Sequence, residues 1–420
     1  MKTYTITPNI ERIQADIEKL ATFVDPEKPG WTRRPFTPWY FQGREWLKNQ
    51  MLAIGMEVEV DSASNLIGRI QGTNPQLPPI IIGSHTDTVT GGGRFDGIIG
   101  VIGGLEIARM LKELGITLRH SLEIVDFTAE EPSEFGISTI GSRGMVDNLS
   151  EEMLIRRDPS GLALREGILM AGGKPDEINS YARRRGDVAL YLEMHIEQGP
   201  VLEQTKNKLG VVTGIVGIHR YRVIVDGKPN HAGTTPMNMR FDAFTGAAQI
   251  ALELESLCQK EYREPIVGTV GKLNVEPNAS NVIPGKVIFD LEVRSLDTAI
   301  LEQIIKEFKK KSTNIADYRG LTVHFDCLSK SEPILVAPEI QNVLEAACKE
   351  TGSTILMPSG AGHDANQLAK ITPIGMIFVP SKDGRSHCPE EWTSYNDVAL
   401  GIEAIARALL SFDQLNELVV

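Results

Sequence analysis

The chain has 420 residues, with 43 Lys and Arg against 55 Asp and Glu, a formal charge of −12. At roughly 100–200 residues per domain that length suggests two or three domains, and 41% hydrophobic with 23% charged residues excludes wholesale disorder. The acidic balance argues against a general nucleic-acid binder, which needs a basic face to release counterions. No run approaches the roughly 18 apolar residues of a membrane span, the N-terminal segment has no apolar h-region, and four scattered cysteines (Cys258, Cys327, Cys348, Cys388) form no framework. The expectation is a cytoplasmic globular enzyme without nucleic-acid or membrane partners.

In chain order, Ile80–Gly83 reads as a buried strand that runs into Ser84-His85-Thr86-Asp87 and the glycine-rich turn Gly91–Gly97. Val101, Leu105, Ala108, Leu111 and Leu114 then recur at helical spacing, and Gly115 closes the helix. Ser121–Phe127 and Val188–Ile196 are further strands, ending in Glu130-Glu131 and His195-Ile196-Glu197-Gln198. Residues 158–185, rich in Arg, Gly and Pro, read as a surface excursion. From about Val211 to Asp326 the pattern changes: Tyr221–Asp226, Ile266–Leu273 and Val287–Arg294 alternate as strands, with helical runs near Asp242–Leu257 and Thr298–Phe308. Gly375–Val379 returns to buried-strand composition and Asp397–Leu410 supplies a closing helix. This is an α/β domain interrupted by a small α+β domain with an open sheet. The expected boundaries are 1–210 with 329–420, and 211–328. Such α/β sheets place ligands beyond the carboxyl ends of their strands.

His85, His195 and His387 each lie in or just after a loop at the end of an apolar segment, whereas His120 and His324 sit among ordinary strand-edge residues. Asp87, two residues from His85, is placed to orient that imidazole, as carboxylates do for ligating histidines. Asp96 follows on a glycine-flanked loop, and the neighbouring side chains of Glu130 and Glu131 diverge, so one can bind metal while the other handles protons. Singly, each has an ordinary structural explanation, since turns favour Asp for backbone reasons. The glycine run lacks phosphate-loop spacing and no GxSxG elbow is present.

Taken together, HTDTV, GGGRFDG, AEE, EMHIEQG and SHCPEEW resemble the M20 family of dinuclear metallohydrolases. Within it they resemble the hydantoinase/carbamoylase amidase branch of N-carbamoyl-L-amino acid hydrolases, β-ureidopropionases and allantoate amidohydrolases. The resemblance runs from about Ile10 to Leu410. It implies a zinc-aminopeptidase-like catalytic domain with a mixed central sheet flanked by helices, and an inserted ferredoxin-like domain serving as lid and dimerisation module of a homodimer. It further implies two divalent ions (zinc, manganese, cobalt or nickel), one held by His85, Asp96 and His195 and a second by Asp96, Glu131 and His387. Glu130 becomes the general base, with Asp87 supporting catalysis. His231, in NHAGTTPM, becomes the oxyanion-stabilising histidine supplied by the partner's lid.

The strand Val287–Arg294 has one apolar and one charged face, so the Arg294 fork suits either a substrate carboxylate or an ion pair with Asp290 or Glu292. By resemblance Arg294, Asn281 and Gln198 recognise a small anionic ureido or carbamoyl substrate. The backbone-rich loop with Gly360, Ala361 and His363 offers amides to the same carboxylate. Pro132 and Cys388 stand where many carbamoylases carry other residues. The expected reaction is hydrolysis of the carbamoyl C–N bond of N-carbamoyl-L-amino acids, releasing ammonia and carbon dioxide. Allantoate or ureidoglycolate is the alternative substrate, followed by an aminoacylase or dipeptidase, and last a non-catalytic binding protein.

Overall fold

The computed structural model describes residues 5–260, 262 and 264–415. The chain divides into two compact units, Met1–Thr213 with Val336–Val420, and Gly214–Leu335. In chain order the strands are β1 (Glu57–Val60), β2 (Leu66–Ile70), β3 (Ile80–His85), β4 (Leu122–Phe127), β5 (Leu190–Ile196) and β6 (Leu209–Ile215). The insertion adds β7 (Gly217–Asp226), β8 (Asn230–His231), β9 (Ile266–Glu276), β10 (Val282–Ile283), β11 (Lys286–Ser295), β12 (Thr322–Ser331) and β13 (Ile334–Leu335). β14 (Thr354–Ser359) and β15 (Ile374–Val379) follow.

The main sheet runs β1-β2-β4-β3-β5-β15-β6-β13, with β14 also paired to β6. β4, β3, β5 and β15 run parallel to one another, while the β1–β2, β2–β4 and β15–β6 pairings are antiparallel. The sheet is therefore mixed, and the carboxyl ends of its four central strands share one edge. His85 ends β3, Glu130 follows β4 and His195 is the penultimate residue of β5, so topology alone brings three chemically active positions to that edge. All six residues of β3, β4 and β15 are buried, as expected for strands covered on both faces. Helix Ile98–Glu113 is buried almost all round, which is the signature of a helix enclosed within a layered core. It starts at Ile98, one turn before the helical periodicity begins.

Residues 158–185 differ from the sequence expectation. They include the short helices Leu164–Met170 and Ile178–Tyr181, and Leu164, Ile168 and Ile178 are buried with Phe36, Ala129 and Ile140 in a secondary core. The frequent charges conceal an i, i+4 apolar pair that packs behind the Glu130 loop. His120 is buried, with Nδ1 2.7 Å from the Pro78 carbonyl oxygen, an ordinary structural histidine.

The insertion is an antiparallel sheet in the order β12-β7-β11-β9. Helices Ala243–Cys258 and Thr298–Arg319 cover it through Ile250, Leu254, Ile304 and Phe308, which pack with Val223, Val225, Phe289 and Leu291. Fully burying each such side chain contributes about 1.5–3 kcal/mol, so this unit has a core of its own. Val287, Phe289, Leu291 and Val293 are buried positions of β11, followed by Ser295, in step with the sequence alternation. The unit runs past the expected residue 328 because β12 continues to Ser331 as a strand of its sheet, and it ends at Leu335, where β13 pairs with Gly214 and Ile215 of β6. A separate two-stranded ribbon pairs β8 with β10, setting His231 opposite Val282. Among the described residues no helix is long and apolar enough to cross a membrane.

Candidate metal centre and active site

Two sets of donor atoms come together at the sheet edge: His85, Asp96 and His195, and Asp96, Glu131 and His387. Asp96 belongs to both. Its Oδ1 lies 3.0 Å from His195 Nε2 and its Oδ2 3.1 Å from His387 Nε2, while His387 Nε2 is 3.4 Å from Glu131 Oε1. One carboxylate thus presents its two oxygens to two different imidazoles. Glu130 Oε2 approaches His85 Nε2 at 3.6 Å, beside the first set. The mixed imidazole and carboxylate donors fit a first-row divalent cation such as zinc, manganese, cobalt or nickel.

The outer nitrogens of the histidines are fixed by main-chain carbonyls. His85 Nδ1 lies 3.0 Å from the Asp87 carbonyl oxygen and His195 Nδ1 lies 2.9 Å from that of Ile196, leaving Nε2 as the inward ligand atom of each. This corrects the expectation that the Asp87 carboxylate orients His85. Its nearest oxygen stands 3.7 Å from Nδ1, and instead it accepts the backbone N–H groups of Glu130 (3.1 Å) and Glu131 (3.2 Å). Asp87 therefore holds the peptide that carries both glutamates. The backbone around the candidate ligands is strained as well: Ala129, Gln198 and His387 all have φ between 53° and 58°. Such left-handed non-glycine residues cost about 1–3 kcal/mol each and cluster at functional sites. Gly97 is required for a different reason, since a Cβ there would sit 2.3 Å from His85 Nε2.

The electrostatics divide the donors. Burial pushes His85 down to about 4, so it stays neutral and able to ligate. His195 rises to about 9: burial opposes the shift, but the Asp96 carboxylate outweighs it. Asp96 is held well below the usual carboxylate range despite its burial, by His195 and His387. Burial and the neighbouring Asp364 and Glu131 raise Glu130, and burial with Asp96 carries Glu131 up to about 8.

The remaining expected residues fall into three places. Gln198 joins the metal centre, its Nε2 donating to Asp96 Oδ2 at 3.0 Å and lying 3.3 Å from His387 Nε2. His363 is buried against His195, ring centroids 4.6 Å apart, with Nε2 2.8 Å from Ser359 Oγ, while Ala361 N–H donates to the same hydroxyl and Gly360 is exposed. His195 and His363 also share a further donor group with Glu193, although Glu193 already accepts from Ser84 Oγ and Tyr191 Oη. On the insertion, the Asn281 carbonyl accepts Ala232 N–H, so Asn281 and His231 share one ribbon. His231 Nδ1 accepts the amides of Gly233 and Thr234, leaving Nε2 to carry the proton. Arg294 pairs with Glu292 on its own strand, Nε at 2.8 Å and Nη2 at 2.5 Å from Oε1, the ion pair that alternation allows. Glu391 was not among the expected residues, yet its buried carboxylate accepts the amides of Phe95 and Asp96.

Comparison with known proteins places this geometry. The family model of peptidase family M20/M25/M40 matches residues 81–411. The chain belongs to this family. It is 39% identical over 96% of its length to an N-carbamoyl-L-amino-acid amidohydrolase of Paenarthrobacter aurescens, of which 98% is covered. It is 35% identical to an allantoate amidohydrolase of Bacillus subtilis, over 94% of this chain and 95% of that one. Among solved structures it superposes on a hydantoinase/carbamoylase family amidase from Burkholderia multivorans with a TM-score of 0.91, at 32% identity over 97% of this chain and 98% of that chain. Membership in M20 makes the chain a hydrolase, and the mixed central sheet matches the carbamoylase-type neighbours.

Proposed function

We propose that the protein hydrolyses the carbamoyl C–N bond of N-carbamoyl-L-amino acids, with one water converting the ureido group to the free amine, carbon dioxide and ammonia. The observation that carries this reading is the shared Asp96, flanked by His195 and His387 and accompanied by Glu130. The full-length similarity to a carbamoyl amino acid amidohydrolase supports the substrate class. His85, Asp96 and His195 would hold one divalent cation, and Asp96, Glu131 and His387 a second. When bound, such a pair supplies Lewis acidity toward the ureido carbonyl and the attacking water.

The protein's own groups do the rest. Glu130, raised by burial, takes the proton of the attacking water and returns it to the leaving nitrogen. Asp87 keeps Glu130 and Glu131 in place through their amides. His231, with its proton on Nε2, donates to the oxygen on which negative charge develops. Arg294 and Asn281 recognise the substrate carboxylate and ureido group, Arg294 exchanging Glu292 for substrate, and Gln198 and the Gly360–His363 loop complete the recognition. The insertion serves as lid and dimer contact, with His231 reaching the site of the partner subunit.

The test supplies zinc, manganese, cobalt and nickel separately and measures ammonia and free amino acid from N-carbamoyl-L-amino acids, allantoate and ureidoglycolate. Turnover of the carbamoyl amino acids with ammonia release is expected. Preferential release from allantoate would replace the substrate assignment, and substrate binding without turnover under every metal would overturn the catalytic reading. For action in trans, mixed His231→Asn and Glu130→Gln subunits should recover activity that neither shows alone. No recovery after demonstrated subunit exchange would place His231 in its own subunit's site.

A further inference from the structure

We propose that Glu391 is a positioning residue that sets the Asp96 carboxylate between the two donor sets. The inference rests on the two-metal reading above, because it concerns the ligand shared by both sites. Glu391 is 2% exposed and uses both carboxylate oxygens. Oε1 accepts the backbone N–H of Phe95 at 3.0 Å and of Asp96 at 3.1 Å. Oε2 lies 3.0 Å from Ser386 Oγ, and that hydroxyl is also 2.9 Å from Asp96 Oδ2. Asp96 is thus gripped twice, at its amide directly and at its carboxylate through Ser386.

The approach depends on Gly93, where a Cβ would fall 2.1 Å from Glu391 Oε1. No side chain fits there while Glu391 occupies its place. Ser386 and Glu391 also bracket His387, so a single carboxylate ties the segment carrying one ligand to the segment carrying another. Ser386 has one proton to give and two carboxylates within reach. Glu391 accordingly governs both the height of the Asp96 backbone and the rotation of its side chain. Aromatic packing holds the two segments together independently. Phe95 meets Trp392 with ring centroids 5.2 Å apart, and the Arg94 guanidinium stands 5.0 Å from the Trp392 ring. Replacement of Glu391 should therefore loosen Asp96 without detaching the loop.

The experiment titrates metal-free, full-length protein with cobalt(II) and follows the visible absorption bands and the stoichiometry. Glu391→Leu should bind cobalt roughly 10–100-fold more weakly, the usual consequence of removing an outer partner, with altered bands showing changed ligand geometry. Glu391→Gln keeps an oxygen for both amides and leaves Ser386 to donate to Asp96, so it should restore parental bands and affinity. Circular dichroism checks the fold. If Glu391→Leu fails to fold, Gly93→Ala displaces the same carboxylate from the other side and should weaken cobalt binding in the same way. Parental affinity and bands in a folded Glu391→Leu or Gly93→Ala protein would overturn the inference, as would a Gln variant as impaired as Leu. Asp96→Asn is the control that separates the two readings. If it binds cobalt like the parent, the two-metal reading fails; if it loses cobalt while Glu391→Leu does not, only the positioning inference fails.

Discussion

Removing the Asp87 carboxylate should destabilise the protein even when no metal is present. Asp87 is completely buried, and its two oxygens accept the amides of Glu130 at 3.1 Å and Glu131 at 3.2 Å. In Asp87→Ala both amides lose their acceptor inside the protein, and each buried unsatisfied donor costs about 1–3 kcal/mol. The expected loss is therefore about 2–6 kcal/mol, a large share of the 5–15 kcal/mol that typically separates folded from unfolded domains. Asp87→Asn keeps one oxygen and turns an NH2 group toward the other amide, so its loss should be about half as large. If Asp87 acted chiefly on the His85 ring, both variants would be nearly neutral without metal and would differ from the parent only in metal affinity.

Urea denaturation of chelator-treated protein, followed by tryptophan fluorescence, distinguishes these cases. Trp31, Trp39, Trp46 and Trp392 are the only tryptophans in the sequence, and all belong to the unit that contains Asp87. The fluorescence transition thus reports that unit without interference from the insertion. A metal-free Asp87→Ala protein within about 1 kcal/mol of the parent would refute the backbone role, because even one orphaned amide should exceed that difference.

Glu130→Gln should retain its metal content by elemental analysis while turnover falls about 10²–10⁴-fold, the usual contribution of a positioned acid–base group; comparable rates would end the general-base assignment. Gly97→Ala should weaken metal binding measured by equilibrium dialysis, because the new Cβ would lie 2.3 Å from His85 Nε2 and the ring must move. Unchanged affinity would show that His85 is not a ligand in its present position. Arg12→Met should destabilise the main unit, since Glu106 is fully buried and takes Nε at 2.6 Å and Nη2 at 2.8 Å from Arg12. Stranding a buried charge costs about 3–5 kcal/mol, and the low end is expected because Arg109 remains 3.9 Å from Glu106. A loss below about 1 kcal/mol in urea melts would mean that Arg109 and the Asn9 N–H, which donates to Glu106 Oε1 at 2.9 Å, suffice without Arg12.

The metal-centre candidates were legible because the sequence places them where strands end. Apolar runs at Ile80–Gly83, Ser121–Phe127 and Val188–Ile196 mark the strands, and parallel pairing delivers their polar ends to one edge. What the sequence could not separate was which group of a residue does the work. HTD suggests a histidine–carboxylate pair, yet the Asp87 main-chain carbonyl meets the imidazole and frees the carboxylate for another loop. Glu390 and Glu391 are adjacent and chemically identical, but the first is exposed and the second buried. The available clue was indirect: three successive glycines beside Asp96, one of them leaving room for a distant carboxylate. Arg294 shows a different limit, because the strand alternation that puts it on a charged face also puts Glu292 there.

The abundance of acids at this site then has a physical division of labour. Asp96 and Glu131 point oxygens at imidazoles, whereas others grip pairs of consecutive backbone amides. Asp87 takes those of Glu130 and Glu131, and Glu391 those of Phe95 and Asp96. A carboxylate has enough acceptor capacity to satisfy two N–H groups that point the same way from an irregular turn. These turns cannot satisfy their own amides, and burial makes an unpaired one costly. The loops that carry the candidate ligands are therefore held by carboxylates contributed from elsewhere in the chain. In a site of this kind, an acidic residue beside a ligand is a support as readily as a donor, and the two are told apart by what its oxygens accept.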